Sequence, residues 1–155
     1  MFKVYFILLL LAHILGDFYA QTSNMAKQKE NSMKWVLVHC LCYWLTTVLI
    51  LLPIMSWKMF WIGTVSSVLH TLIDILKYWH VSKLRKNNIM TLIKDRNIFF
   101  MDQLLHLICL VGISYLVVLE NIPIYVCRTL TQFFNTIGIS ERGLVSWGGS
   151  IINNT

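Results

Sequence analysis

Apolar residues are concentrated in four long stretches, 4–21, 35–55, 59–79 and 98–119, while polar residues collect in the short segments between them. None of the four shows the strict alternation of a half-buried strand, and each approaches the roughly 20 residues with which an α-helix crosses a hydrocarbon core. The pattern predicts an all-α polytopic membrane protein, with four transmembrane helices bundled over residues 1–120. Beyond them, Val126, Leu130, Phe133, Phe134 and Ile137 fall on one helical stripe, with Arg128, Gln132 and Asn135 off it. Residues 121–139 therefore read as an amphipathic interfacial helix, with a short fifth span as the alternative, and the Gly-rich, polar segment 140–155 reads as a flexible tail.

Composition agrees with this reading: 57% of the residues are hydrophobic, only 13% are charged, and there are six Trp. The net charge of +6 does not point to nucleic acid, because the basic residues are divided among short inter-span segments and no folded basic domain presents them. They report topology instead. Lys27, Lys29 and Lys34 fall in one loop and Lys83, Arg85, Lys86, Lys94 and Arg96 in another, against mainly Lys3 and Lys58 on the opposite side. The positive-inside rule makes both basic loops cytoplasmic and puts the N-terminus outside. The first stretch has the look of a signal peptide, but His13 and Asp17 interrupt its apolar region, and Phe18 is too large for the minus-three position of a cut after Ala20. It is kept as a span. Cys40, Cys42, Cys109 and Cys127 are scattered and suit core packing rather than a disulfide frame or a zinc knuckle.

Interruptions of the apolar pattern carry the chemistry. Three spans each hold a histidine and an aspartate four residues apart, on one helical face: His13 with Asp17, His70 with Asp74, and Asp102 with His106. His39 stands on the second span without an aspartate. The fourth span runs opposite to the first and third and its pair is reversed, as side chains meeting at one level in an antiparallel bundle require. At about 1.5 Å per residue, Asp17, His39, Asp74 and Asp102 fall roughly 8 Å from the cytoplasmic ends of their spans, and His13, His70 and His106 roughly 14 Å. They form two tiers.

An aspartate at helix-centre depth costs about 2.5 to 3.5 kcal/mol unless it is paired or coordinated. A divalent transition metal compensates for such groups directly. His13, Asp17, His70, Asp74, Asp102 and His106 are the candidate ligands, and Asp17, Asp74 and Asp102 double as candidate catalytic bases toward a water. Zinc is the first choice, with manganese or iron as alternatives, and the ligand set suffices for one ion or two. His39, Gln21 and Gln103 are read as supporting or ligand-binding groups. Lys77, one turn nearer the cytoplasm than Asp74, either meets a phosphate or acidic headgroup or snorkels. Gly16 permits close helix approach. Two metal-free alternatives remain open: a proton or ion relay, and a structural network in which each histidine donates to an aspartate.

Through the elements AHILGDFYAQ, HTLIDILK and MDQLLH, the chain resembles the bacterial membrane proteins grouped as domain-of-unknown-function family 3307, over roughly residues 5–115. The resemblance rests on His13, Gly16, Asp17, Gln21, His70, Asp74, Lys77, Asp102, Gln103 and His106. It implies a bacterial cytoplasmic membrane but no activity. The ligand inventory also resembles that of intramembrane zinc hydrolases that cleave lipid amides, although those have more spans and an HxxxH element that this chain lacks. Three functions are compatible with these residues. The first is a metal-dependent hydrolase acting on a lipid or lipid-linked substrate. The second is an ion, metal or proton permeation protein, and the third a structural or partner-anchoring membrane subunit. The lipid bilayer is the expected partner, nucleic acid is not, and the oligomeric state stays open.

Overall fold

The computed structural model describes residues 2–54, 56–87 and 92–120, so the expected interfacial helix over 121–139 and the tail lie outside the described residues. Helix α1 (Phe2–Ile14) is continued by a π-helical turn at Leu15–Tyr19. A short α2 (Ser23–Lys29) follows, then α3 (Met33–Leu51) with a 3-10 turn at Leu52–Ile54, α4 (Trp57–Lys86) and α5 (Leu92–Leu119). No strand occurs among the described residues. Four segments, Phe2–Tyr19, Met33–Ile54, Trp57–Lys86 and Lys94–Leu119, are helices long and apolar enough to cross a membrane.

Local sequence explains where these helices begin and end. Thr22 and Ser56 cap α2 and α4, each side-chain oxygen accepting the N–H three residues on, at 3.2 Å from Met25 and Met59. Pro53 has no N–H to give and falls in the turn that stops α3. Helix α4 runs on past Trp79, where the apolar stretch ends, so that Lys83, Arg85 and Lys86 occupy its last turn and meet the negative end of the helix dipole. Arg85 also pairs with Glu30 and donates to Asn31 Oδ1 at 2.8 Å, tying this end of α4 to the α2–α3 connection.

Helices α1 and α4 each pack against both α3 and α5, which closes the four long helices into a ring. The start of α1, the end of α3, the start of α4 and the end of α5 share one end of the interior, where Tyr5, Leu9, Leu51, Ile54, Met59, Leu110, Ile113 and Val117 form a buried apolar cluster. Successive long helices are therefore antiparallel. Gly63 lets α4 approach α3 there, since a Cβ on it would lie 2.8 Å from Leu51 Cδ1. Hydroxyls near this cluster satisfy themselves locally: Thr47, Ser67 and Ser114 donate to the carbonyls of Tyr43, Gly63 and Leu110 at 3.0, 2.9 and 2.7 Å.

Exposure across the bundle is inverted relative to a water-soluble domain. Leu49, Leu76 and Leu116 are 67%, 61% and 59% exposed, whereas His39, His70 and His106 are 0%, 2% and 3% exposed. Lipid tolerates the first set, and only a protein interior tolerates the second. With four helices of spanning length, this is a multi-pass membrane protein.

Candidate metal centre

The end of the bundle away from the apolar cluster is built around the π-helical turn. There the Ala20 N–H donates to the Leu15 carbonyl five residues back, at 2.8 Å, instead of four. Asp17 lies within this turn, four residues after His13. Its short contacts go across the bundle: Oδ1 lies 3.0 Å from His39 Nε2, 3.8 Å from His70 Nε2 and 3.9 Å from Lys29 Nζ, while Oδ2 accepts from Gln103 Nε2 at 3.2 Å. Gly16 lies in the same turn because a Cβ on it would sit 2.7 Å from Tyr43 Cδ2. The Tyr43 ring in turn stacks on His70, 3.7 Å between centroids and 3° from parallel. His106 lies 4.2 Å from His70 between ring centroids.

Three buried groups emerge, each with its ligand atoms within 4.8 Å of one another: His13, His70 and His106; Asp17, His39 and His70; and Asp74, Asp102 and His106. The first is the deeper histidine tier. In the second, His70 Nε2 and His39 Nε2 are 3.4 Å apart, and Asp74 Oδ2 reaches the same two nitrogens at 3.8 and 3.4 Å. Atoms bound to one zinc at 2.0 to 2.1 Å lie at most about 4.2 Å apart, so these separations are already of ligand size. The other oxygen, Asp74 Oδ1, lies 3.8 Å from His106 Nε2, which is 3.6 Å from Asp102 Oδ1. Asp74 thus spans two neighbouring groups, one oxygen to each.

These residues fit a cation. Asp17 Oδ1, Asp102 Oδ1 and His106 Nε2 are buried and without an aligned hydrogen bond, although all three take part in the close approaches above. His39 and His70 converge through Nε2 on Asp17 and Asp74, while their Nδ1 atoms, like that of His13, are buried without a hydrogen bond. Charge points the same way. Asp17, Asp74 and Asp102 face two ammonium groups, Lys29 at 3.5 Å from Asp74 Oδ2 and Lys77 at 2.7 Å from Asp102 Oδ2. One negative charge is left for a proton or a metal ion to meet.

All six residues expected as ligands converge here, together with Gln103 and Lys77. Gln21 is half-buried in the bend after the π turn, four residues beyond Asp17. His39, expected in a supporting position because its span carries no aspartate, stands between Asp17 and Asp74 with no exposed surface. Lys29 and Tyr43 were not anticipated. Lys29 had no signal beyond its charge, since nothing in the loop sequence says that α2 turns its last residues back over the bundle. Tyr43 is one aromatic residue among many in an apolar span. Cys40 is buried and free, and it is in none of the groups.

Beside the carboxylates lies a cleft of about 340 Å³, reaching Asp74, Lys29 and Lys77 on its inner side and Arg96 and Phe99 on its outer side. The fold and these groups define a multi-pass membrane protein with a buried histidine and aspartate site able to hold a metal. The chain belongs to the family described as protein of unknown function (DUF3307), whose model matches residues 5–133. No curated protein and no solved structure matches it significantly.

Proposed function

We propose that this protein is a membrane metalloenzyme, a hydrolase whose buried site holds one or two divalent transition-metal ions and acts on a lipid or lipid-linked substrate. Zinc is the preferred ion for the mixed imidazole and carboxylate set, with manganese and iron as the alternatives. One observation carries the reading: three buried groups of histidines and aspartates bring their ligand atoms within 4.8 Å of one another, and among them Asp17 Oδ1, Asp102 Oδ1 and His106 Nε2 have no aligned hydrogen bond. A polar network kept only for structure would pair such atoms, because leaving each unmade costs about 1 to 3 kcal/mol.

His39, His70 and Asp17 form one ligand set, His106 and Asp102 the other, and Asp74 joins them. These residues would hold an ion that, when bound, would supply an acidified water and polarisation of an ester or amide carbonyl or a phosphoryl oxygen. A carboxylate oxygen among Asp17, Asp74 and Asp102 that is not bound to the ion would accept the water's proton. Gln103 holds Asp17 and Asp102 together through its amide, at 3.2 and 3.4 Å, which fixes the direction of both carboxylates. Tyr43 and the apolar cluster keep bulk water from the far side.

The apolar cluster also weighs against permeation. An ion or proton crossing the bundle must pass Tyr5, Leu9, Leu51, Met59 and Leu110, and the nearby hydroxyls of Thr47 and Ser114 are bonded to their own helices. The polar chamber is closed at that end. On the proposed orientation, in a bacterial cytoplasmic membrane with the N-terminus outside, the open end faces the cytoplasm. A thiol introduced as Lys58→Cys is then labelled only from outside.

The test incubates the purified protein in nanodiscs with a total bacterial lipid extract and follows products by mass spectrometry. A new water-soluble or lyso-lipid product is expected, lost with Asp17→Asn and with a chelator. If no product forms, and proteoliposomes instead take up metal or protons in a manner abolished by His70→Ala, the permeation reading replaces this one. If Asp17→Asn, Asp74→Asn and Asp102→Asn all retain cellular function, the protein is a structural or anchoring subunit.

A further inference from the structure

The cleft beside Asp74 has a chemistry of its own. At about 340 Å³ it is the size of a small-ligand site. Three cationic groups line it from three separate helices: Lys29 from α2, Lys77 from α4 and Arg96 from α5. Acidic residues line it too, and they differ in how far they are engaged. Glu30 is held by Arg85, Asp74 is turned into the site among the imidazoles, and Asp95 is exposed at the rim. Tyr78 adds a phenol to the wall, and the rest is apolar: Val36, Val81, Ile98 and Phe99.

We infer that this cleft binds a phosphate group, carried by a lipid headgroup or free, between Lys29, Lys77 and Arg96. The inference gives the hydrolase reading its substrate class and rests on that reading for the reaction and, through the charge of the bound ion, for the strength of the binding. Lys29 and Lys77 now neutralise carboxylates, Lys29 against Asp17 and Asp74 and Lys77 against Asp102. A divalent ion among those carboxylates takes over that task. The same three aspartates and two lysines then carry one net positive charge, next to a cleft already lined by Arg96. Cationic groups converging from three helices suit a tetrahedral oxyanion better than a planar carboxylate, which one arginine fork would hold. Phe99, 46% exposed, lines the cleft and also faces outward, and the adjacent Phe100 is 63% exposed. A lipid whose phosphate lies in the cleft can therefore leave its acyl chains along this outer apolar surface.

The test measures binding of three probes to the full-length protein in detergent by tryptophan fluorescence: dihexanoyl phosphatidic acid, dihexanoylglycerol and inorganic phosphate. Metal content is determined on the same sample. Phosphatidic acid is expected to bind at least about tenfold more tightly than dihexanoylglycerol, a discrimination the size of one charge-assisted hydrogen bond. Lys77→Gln should weaken it about tenfold and Arg96→Gln about threefold, with dihexanoylglycerol unaffected, and Lys77→Arg should restore most of the binding. Arg96 is exposed, so its variant guards against a fold damaged by losing the Lys77–Asp102 pair. Tighter binding of phosphatidic acid than of inorganic phosphate identifies a lipid-borne group, and equal binding identifies free phosphate. Equal binding of phosphatidic acid and dihexanoylglycerol, or wild-type affinity in both Lys77→Gln and Arg96→Gln, overturns the inference. Discrimination without bound metal keeps the phosphate cleft and removes the hydrolase, whereas metal without discrimination does the reverse.

Discussion

In one half of the bundle Tyr5, Leu9, Leu51, Met59 and Leu110 meet as a dry apolar cluster; further along the same helices, seven histidines and aspartates occupy the equivalent interior positions. Both halves are buried to a similar degree, with Leu9 at 2% and His70 at 2% exposure, so burial does not distinguish them. What holds them does. Lipid tails are as apolar as leucine, so the apolar half gains mainly from close fit, as where Gly63 meets Leu51. The polar half has no comparable reason to exist on grounds of stability, because a bundle filled with leucine would avoid the cost of its carboxylates. Its retained charges, and the atoms among them without an aligned hydrogen bond, are what the proposed metal site accounts for.

Substitutions matched across the two halves put this contrast under strain. Asp102→Ala leaves the Lys77 ammonium without the carboxylate it meets at 2.7 Å, and removing one partner of such a buried pair costs about 3 kcal/mol. Reversible unfolding in mixed detergent micelles measures it, and Asp102→Asn should lose less. Leu9→Ala in the apolar half should cost about 2 kcal/mol, as a cavity, and leave the metal content intact. A loss of metal on Leu9→Ala would mean that the halves are not separate.

Glycines give a finer comparison. Gly16→Ala drives a methyl to 2.7 Å from the Tyr43 ring, which cannot turn aside without leaving its stack on His70; a cost of about 1 to 3 kcal/mol and a fall in metal content are expected. Gly63→Ala meets Leu51 Cδ1 at 2.8 Å, the far end of a flexible side chain rather than a stacked ring. It should cost under about 1 kcal/mol and change no metal. Gly112 has nothing within 4 Å of the added carbon, so Gly112→Ala should be neutral or stabilise by about 0.5 kcal/mol through helix propensity. An order other than this in measured stability would show that backbone approach is not what these positions control.

Much of this was legible in the chain itself. Four spans followed from apolar length, and the HxxxD, HxxxD and DxxxH order anticipated that His13, His70 and His106 meet, since reversed pairs on antiparallel helices reach one level. That reasoning assumes regular helices. It missed the π-helical turn at Leu15–Tyr19, which has no sequence marker beyond Gly16 and from which Asp17 reaches His39 at 3.0 Å. It underrated His39 because the i, i+4 rule scores only pairs within one helix, whereas the partners of His39 come from α4 and the π turn. Lys29 stayed hidden for the same reason: periodicity says which face of a helix is buried, and nothing about where a short loop helix folds back.

Elemental analysis of the purified protein tests the central claim most directly, because it asks whether the polar half holds a metal before any substrate is known. The wild type should carry about one to two equivalents of a divalent transition metal, by the ligand sets on either side of Asp74. His70→Ala, which removes the residue common to two of the three groups, should strip most of it. His39→Ala should do nearly as much, and Leu9→Ala should strip none. A wild-type protein that purifies without metal, and binds none after dialysis against zinc, manganese or iron(II), would contradict the account and leave the polar half as a hydrogen-bonded network.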